Sequence, residues 1–257
     1  MLRKRLIGVV TVRRGLAVQS FGYRRYLPLG RPEIVVENLD RWGADEILVQ
    51  VIDRSLAGAG PDLGLLERLG ALGLSTPLIY GGGIRDASDA VQVVRLGADR
   101  VAVDAMLRRA PDQLEATARE LGAQALIAHL PVRMADGALL WRDHLGGAEA
   151  PLSRAALDGL PLDWASEVML TDWPHEGMPE AFEETIPVHF PPADKPLILF
   201  GGLSSSVQLS RMLALPSVAA VCVGNFLNYR EHAVQALKAG LDVTTVREAD
   251  FQADRQP

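Results

Sequence analysis

Two turns in this 257-residue chain carry glycine where chemistry could use it. Pro77 to Ile84 reads PLIYGGGI and Pro196 to Leu203 reads PLILFGGL, each a short apolar run closed by consecutive glycines. Glycine at a strand end lets backbone amides come close to a ligand, and a helix start just beyond adds a dipole that favours an anion. Gly82 and Gly83 form the first such turn and Gly201 and Gly202 the second. Gly224 and Asn225, after a later apolar run, and Gly177 in the segment HEGM could add further amides to the second. One such turn alone could be a tight strand-to-helix connection that binds nothing. The pair suggests two anion-holding corners of one site.

A second set of residues is charged. Arg5, Glu46, Arg100 and Glu167 each open an apolar run, where a charge is ordinarily a solvated loop residue. Two cations and two anions at the starts of the first, second, fourth and sixth runs could instead close a ring of ion pairs. A buried ring of charges is costly to assemble and adds little stability, so such a ring points to a functional role. Strand alternation then carries a phase: Ile7, Val9 and Thr11 share a face with Arg5, Leu48 and Gln50 with Glu46, Ala102 and Asp104 with Arg100, Met169 and Thr171 with Glu167. There is no P-loop, HExxH or paired-cysteine motif, so neither a metal nor another cofactor is expected.

The elements that must position these residues alternate along the chain. Eight short aliphatic runs (RLIGVV, EILVQVI, PLIYG, RVAVD, QALIAHL, EVMLT, PLILF and VAAVCVG) are separated by spacers with apolar residues three and four apart. Eight such alternations predict a single (β/α)8 TIM barrel, an α/β fold. The chain also repeats. Glu46-Ile47-Leu48 recurs at Glu167-Val168-Met169, Pro77-Leu78-Ile79 at Pro196-Leu197-Ile198, and Val101-Ala102-Val103 at Val221-Cys222-Val223, offsets of 121, 119 and 120 positions. A constant offset near half the length implies two similar half-barrels, about 1–122 and 123–243, with a C-terminal tail at 244–257. It also sets the two glycine turns on opposite sides of one mouth.

Composition sets the remaining bounds. Hydrophobic residues make up 48% and charged residues 23%, enough for a large core, and the net charge of −6 gives no basis for binding nucleic acid or an anionic membrane. Apolar runs are too short to span a bilayer and the N-terminus lacks a secretory pattern, so the expected location is cytoplasmic. The lone Cys222 sits in an apolar run and reads as a buried, reduced thiol.

With MLRKRLIGVV, GADEILVQVID, GGGI and FGGL in a half-barrel repeat, the chain resembles the cyclase subunit of imidazole glycerol phosphate synthase over essentially its whole length. The segment FGYRRYLPLGRPEIVVENLDRWGADEI is most similar to the branch found with surface-polysaccharide genes, whose implied chemistry is transfer of ammonia to a sugar acetamido group. The resemblance implies a glutaminase partner on the lower face of the barrel and ammonia passing up through its centre. Arg5, Glu46, Arg100 and Glu167 align with the family's salt-bridge gate, Arg100 standing where the family has lysine. It also sets Ile127, His129 and Pro131 inward on the fifth strand, and with Tyr80 and Phe200 ending strands three and seven it surrounds an upper chamber with Thr11, Gln50, Tyr80, Asp104, His129 and Thr171.

Departures from the family pattern redirect the expected chemistry. The two carboxylates that the family's cyclase uses as acid and base align with Thr11 and Pro131, and a loop lysine aligns with Gln19. Neither threonine nor proline can transfer protons at neutral pH. His129, Asp53 and Asp104 are therefore the catalytic candidates. Asp104 replaces the asparagine of the first anion corner, so the second corner, with Glu176 in place of an aspartate, is expected to hold phosphate better. The loop SFGYRRYLPLGRPE sets Tyr23, Arg24, Arg25 and Tyr26 at the mouth as a candidate lid. The expected function is the synthase subunit of a glutamine-dependent amidotransferase acting on a phosphorylated or nucleotide-linked sugar. The histidine-pathway cyclase is the alternative within the family, and a catalytically degenerate barrel serving as a scaffold is the alternative of another class.

Overall fold

The computed structural model describes residues 3–191, 194–242 and 246–249. The eight aliphatic runs become eight parallel strands: β1 (Arg5–Arg13), β2 (Glu46–Val51), β3 (Leu78–Gly81), β4 (Arg100–Val103), β5 (Leu126–Ala135), β6 (Glu167–Asp172), β7 (Leu197–Phe200) and β8 (Val218–Val223). Each pairs with its sequence neighbour and β8 returns to β1, with Arg5 opposite Ala220, so the sheet closes on itself. The fold is a (β/α)8 TIM barrel. Of the expected C-terminal tail, only 246–249 lies within the described residues.

Two apolar layers follow from the strand alternation. Ile7, Val9, Leu48, Ile79, Ala102, Ile127, Met169, Ile198, Phe200, Ala220 and Cys222 fill the barrel interior. The alternate positions, such as Leu6, Val10, Ile47, Val49, Leu78 and Tyr80, pack outward against the surrounding helices. Tyr80 therefore does not face the upper chamber as expected. Ile79 takes the inward phase of β3, and the Tyr80 hydroxyl accepts a hydrogen bond from the Asp62 amide at 2.7 Å in the outer layer.

The helices are short and locally specified. Asp62, Asp86, Ser153 and Ser205 each accept an amide hydrogen bond at a helix start, satisfying donors the helix cannot. At the bottom of the barrel Asp45 accepts from the Leu6 amide and Asp99 from the Leu78 amide, both at 2.7 Å, tying strand starts together. Asp45 also pairs with the buried Lys238 at 2.8 Å, anchoring the last helix, Ala233–Ala239, beneath the sheet.

Two antiparallel insertions rise from the upper rim. After β1, strands Leu16–Phe21 and Arg25–Gly30 form a ribbon, where the sequence suggested a loop serving as a candidate lid. β5 continues through a turn at Asp136 and Gly137 into Ala138–Arg142, which then pairs with Glu149–Pro151. Both turn residues have positive φ, the geometry of a two-residue hairpin that Asp-Gly favours.

Candidate functional site

At the lower end the four charged strand starts come together. Arg5 contacts Glu46 at 3.1 Å and also pairs with Glu167. Arg100 contacts Glu46 at 3.3 Å and Glu167 at 2.5 Å, which closes a four-membered ring. Arg100 is further held by the Gln124 carbonyl and the Ser166 hydroxyl. Burial works against the charge on Arg5, but Glu46 and Glu167 outweigh it and hold its pKa above the ordinary value. Above the ring the interior is apolar. Cys222 lies in this layer, where burial, then the nearby Glu46 carboxylate, push its thiol well up and keep it protonated.

The upper end opens into a chamber of about 280 Å³ lined by residues from several βα loops. It brings together Gln50, Gly82, Gly83, Asp104, His129, Pro131 and Thr171 from the strand ends. Thr11 is buried and does not line it, and Asp53 stands apart, its Oδ2 accepting the Arg14 amide at 2.7 Å. His129 lies 2.8 Å from the Thr171 hydroxyl. Its burial lowers the pKa to about 4, against the opposing charge of Asp104, so the ring is neutral at pH 7.

The inserted ribbons complete the chamber. His144, in the turn between Ala138–Arg142 and Glu149–Pro151, places Nδ1 2.5 Å from Asp104 Oδ2. Burial disfavours the imidazolium, but contact with Asp104 and the charge of Asp143 prevail and raise the His144 pKa. Asp143 holds the turn by accepting the Leu145 amide at 3.0 Å. Arg142 stacks over Trp173 at 4.1 Å, and Arg24 lies over the same ring system at 5.6 Å. Tyr23 reaches inward from the first ribbon, its hydroxyl donating to Gln50 Oε1 at 3.1 Å.

The two glycine corners differ in how much open space they border. At the first corner, Gly82 and Gly83 border the open chamber, and the Gly83 amide donates to Ser55 Oγ at 2.9 Å. A Cβ on Gly82 would meet the Val51 carbonyl at 2.1 Å, so close backbone packing by itself requires glycine there. At the second corner, Gly177, Gly202, Gly224 and Asn225 surround only about 20 Å³. Asn225 bonds both backbone groups of Ser20, and Glu176 accepts from the Ser20 hydroxyl, so the first ribbon occupies the space. Gly201 turns away toward the Asp172 backbone, where an added Cβ would sit 2.4 Å from the carbonyl.

This arrangement suits proton transfer beside a held substrate. His144 is partly exposed to the chamber, can give or take a proton, and is oriented by Asp104. His144, Arg142, Trp173 and Ser55 escaped the sequence reading. The available signal was Asp136-Gly137 between two apolar-alternating stretches, which marks a hairpin that returns Arg142 and His144 to the mouth.

Comparisons with known proteins agree with this architecture. A family model described as "Histidine biosynthesis protein" matches residues 5–233. Imidazole glycerol phosphate synthase subunit HisF of Solibacter usitatus is 27% identical over 254 residues, covering 94% of this chain and 96% of its own length. The Bacillus subtilis protein of the same name is 24% identical over 94% of this chain and 97% of its own. A Vibrio vulnificus protein provisionally named imidazole glycerol phosphate synthase subunit hisF2 is 26% identical over 93% and 88%. The chain belongs to the histidine biosynthesis protein family, among the barrels similar to the cyclase subunit of imidazole glycerol phosphate synthase.

Proposed function

We propose that this chain is the ammonia-using synthase subunit of a two-protein, glutamine-dependent amidotransferase. The observation that carries the reading is the closed ring of Arg5, Glu46, Arg100 and Glu167 beneath an apolar interior that leads to a polar chamber. Ammonia is small and neutral, so an apolar passage carries it while excluding ammonium and other ions, whose desolvation is far more costly. A gate of four mutually paired charges can open by exchanging partners, and it has little purpose without a source of ammonia below it. A glutaminase docked around Arg5, Asp99 and Arg100 supplies that source.

Two acceptors remain within this reading. The names of the relatives favour the ring-closing reaction of imidazole glycerol phosphate synthase, and on that reading Asp104 and His144 replace the missing acid–base carboxylates. The identities of Thr11 and Pro131 favour a different acceptor, a phosphorylated or nucleotide-linked sugar. The test gives the isolated chain ¹⁵N-ammonium or glutamine, with the imidazole glycerol phosphate synthase substrate and a nucleotide-linked acetamido sugar as separate acceptors, the sugar together with ATP so that its displaced oxygen can leave on phosphate. Label in either product from ammonium, and none from glutamine, supports the synthase role and names the acceptor. Label in neither product points to the scaffold, and hydrolysis of glutamine by the chain alone contradicts the two-protein reading.

A further inference from the structure

The mouth is built unequally on its two halves. On the second-half side Ser20 is fully buried. Its amide donates to Asn225 Oδ1 at 3.1 Å and its carbonyl accepts from Asn225 Nδ2 at 2.6 Å. The Ser20 hydroxyl donates to Glu176 Oε2 at 2.8 Å, and the Gly22 amide donates to the Glu176 carbonyl at 2.8 Å. What remains beside these contacts is a pocket of about 20 Å³, against about 280 Å³ for the chamber.

On the first-half side the space continues. Beyond Gly83 and Ala105 lies a cleft of about 220 Å³ that shares Ser55, Gly83, Ile84 and Ala105 with the chamber. Arg54, Arg85 and Arg109 line it, and among the described residues no carboxylate does. Arg54 donates to the carbonyls of Gly60, Ala59 and Pro61 at 2.8–3.0 Å, neutral partners that leave its charge in place. Arg85 pairs with Asp89, and Arg109 stands 3.7 Å from Asp143. Chamber and cleft together offer about 500 Å³, the size of an ordinary small-molecule site.

We propose that the substrate is anchored by an anion on the first-half side alone: its reacting end lies in the chamber beside Asp104 and His144, and a nucleoside diphosphate portion crosses Gly83 into the cleft of Arg54, Arg85 and Arg109. The inference rests on reading the chamber as the acceptor site and commits that site to a substrate class. Guanidinium groups hold diphosphate oxygens in paired hydrogen bonds, and Arg54, bonded only to carbonyls, offers its full charge while Arg85 and Arg109 share theirs with Asp89 and Asp143. The second corner offers less room, with the Asn225 and Glu176 side chains already engaged with the first ribbon.

Titration of the ¹⁵N-labelled full chain with uridine diphosphate, adenosine diphosphate and inorganic pyrophosphate, followed by amide NMR, tests the proposal. Saturable shifts are expected at Ser55, Gly83, Ala105 and Leu145, with Gly202, Gly224 and Asn225 unmoved. R109Q removes an exposed guanidinium and should weaken binding about tenfold, the scale of one charge-assisted hydrogen bond. R85Q is the second variant, and R119Q, in an exposed helix pair with Glu115, should leave the cleft affinity unchanged. Shifts at Gly202, Gly224 or Asn225 in the wild type would overturn the proposal, as would millimolar probe leaving the cleft amides unmoved or affinities indifferent to both R109Q and R85Q. Neither ammonia nor a glutaminase enters this experiment, so its failure leaves the synthase reading standing.

Discussion

At the residue scale the two chamber histidines are tuned in opposite directions, and each tuning has a measurable consequence. Asp104 and Asp143 face His144 with their negative charge, Arg109 opposes them, and the net effect is a raised pKa after burial has lowered it. Imidazole NMR should therefore show His144 titrating above the ordinary value, and Asp104→Asn should move that titration to lower pH. An unchanged titration in Asp104→Asn would remove Asp104 as the orienting group. His129 is the reverse case, with a folded pKa of about 4 against 6.5 in the unfolded chain. The unfolded chain then binds the extra proton first, so stability is lost as pH falls from about 6.5 to 4, by roughly 3 kcal/mol once the fall is complete. His129→Gln should show a smaller loss over that interval in urea unfolding than the wild type does. Equal losses would mean that His129 is protonated more easily than its burial implies.

At the element scale the ribbon after β1 and the hairpin continuing β5 do most to shape the mouth, and they were the least legible elements. The barrel strands were readable because each is a compact aliphatic run whose alternation must satisfy an interior and an exterior layer. Tyr80 shows the limit of that logic: the aliphatic run marks the strand, but Ile79, and not Tyr80 near its end, fills the interior. The ribbon's fixed position depends on close contact with Gly177, where an added Cβ would lie 1.8 Å from the Ser20 carbonyl and φ is +78°. Gly177→Ala should destabilise the protein by about 3 kcal/mol through overpacking and backbone strain, measurable by thermal or urea unfolding. Asn225→Ala should speed hydrogen exchange at the Ser20 amide without lowering global stability by more than about 3 kcal/mol, because two backbone groups lose their partners. Unchanged exchange would show that the ribbon is held by its other contacts. No sequence pattern revealed that the Asn225 side chain would hold the ribbon, since Ser20 lies 205 positions away.

At the scale of the whole molecule, the closed sheet turns four distant strand starts into one ring and sets an apolar layer between that ring and the upper chamber, which on the proposed reading separates an ammonia entrance from a reaction chamber. The ring was legible because charge at an apolar strand start is unusual and four such positions recur at matching places. The chamber was legible only in part, since His144 and Arg142 arrive on an insertion rather than on the barrel itself. Breaking the ring leaves buried charges without partners, so Glu167→Gln should cost about 3–5 kcal/mol in urea unfolding, whereas a peripheral pair such as Arg119 with Glu115 contributes under about 1 kcal/mol. The central claim, passage of ammonia from a partner through the ring to the chamber, is tested most directly in the assembled synthase–glutaminase pair. That pair is given amide-¹⁵N glutamine together with excess unlabelled ammonium, and the product nitrogen is read by mass spectrometry. The account predicts ¹⁵N-labelled product in the wild type, with the label diluted by bulk ammonium in Glu167→Gln. Wild-type product whose nitrogen tracks the bulk ammonium would contradict it.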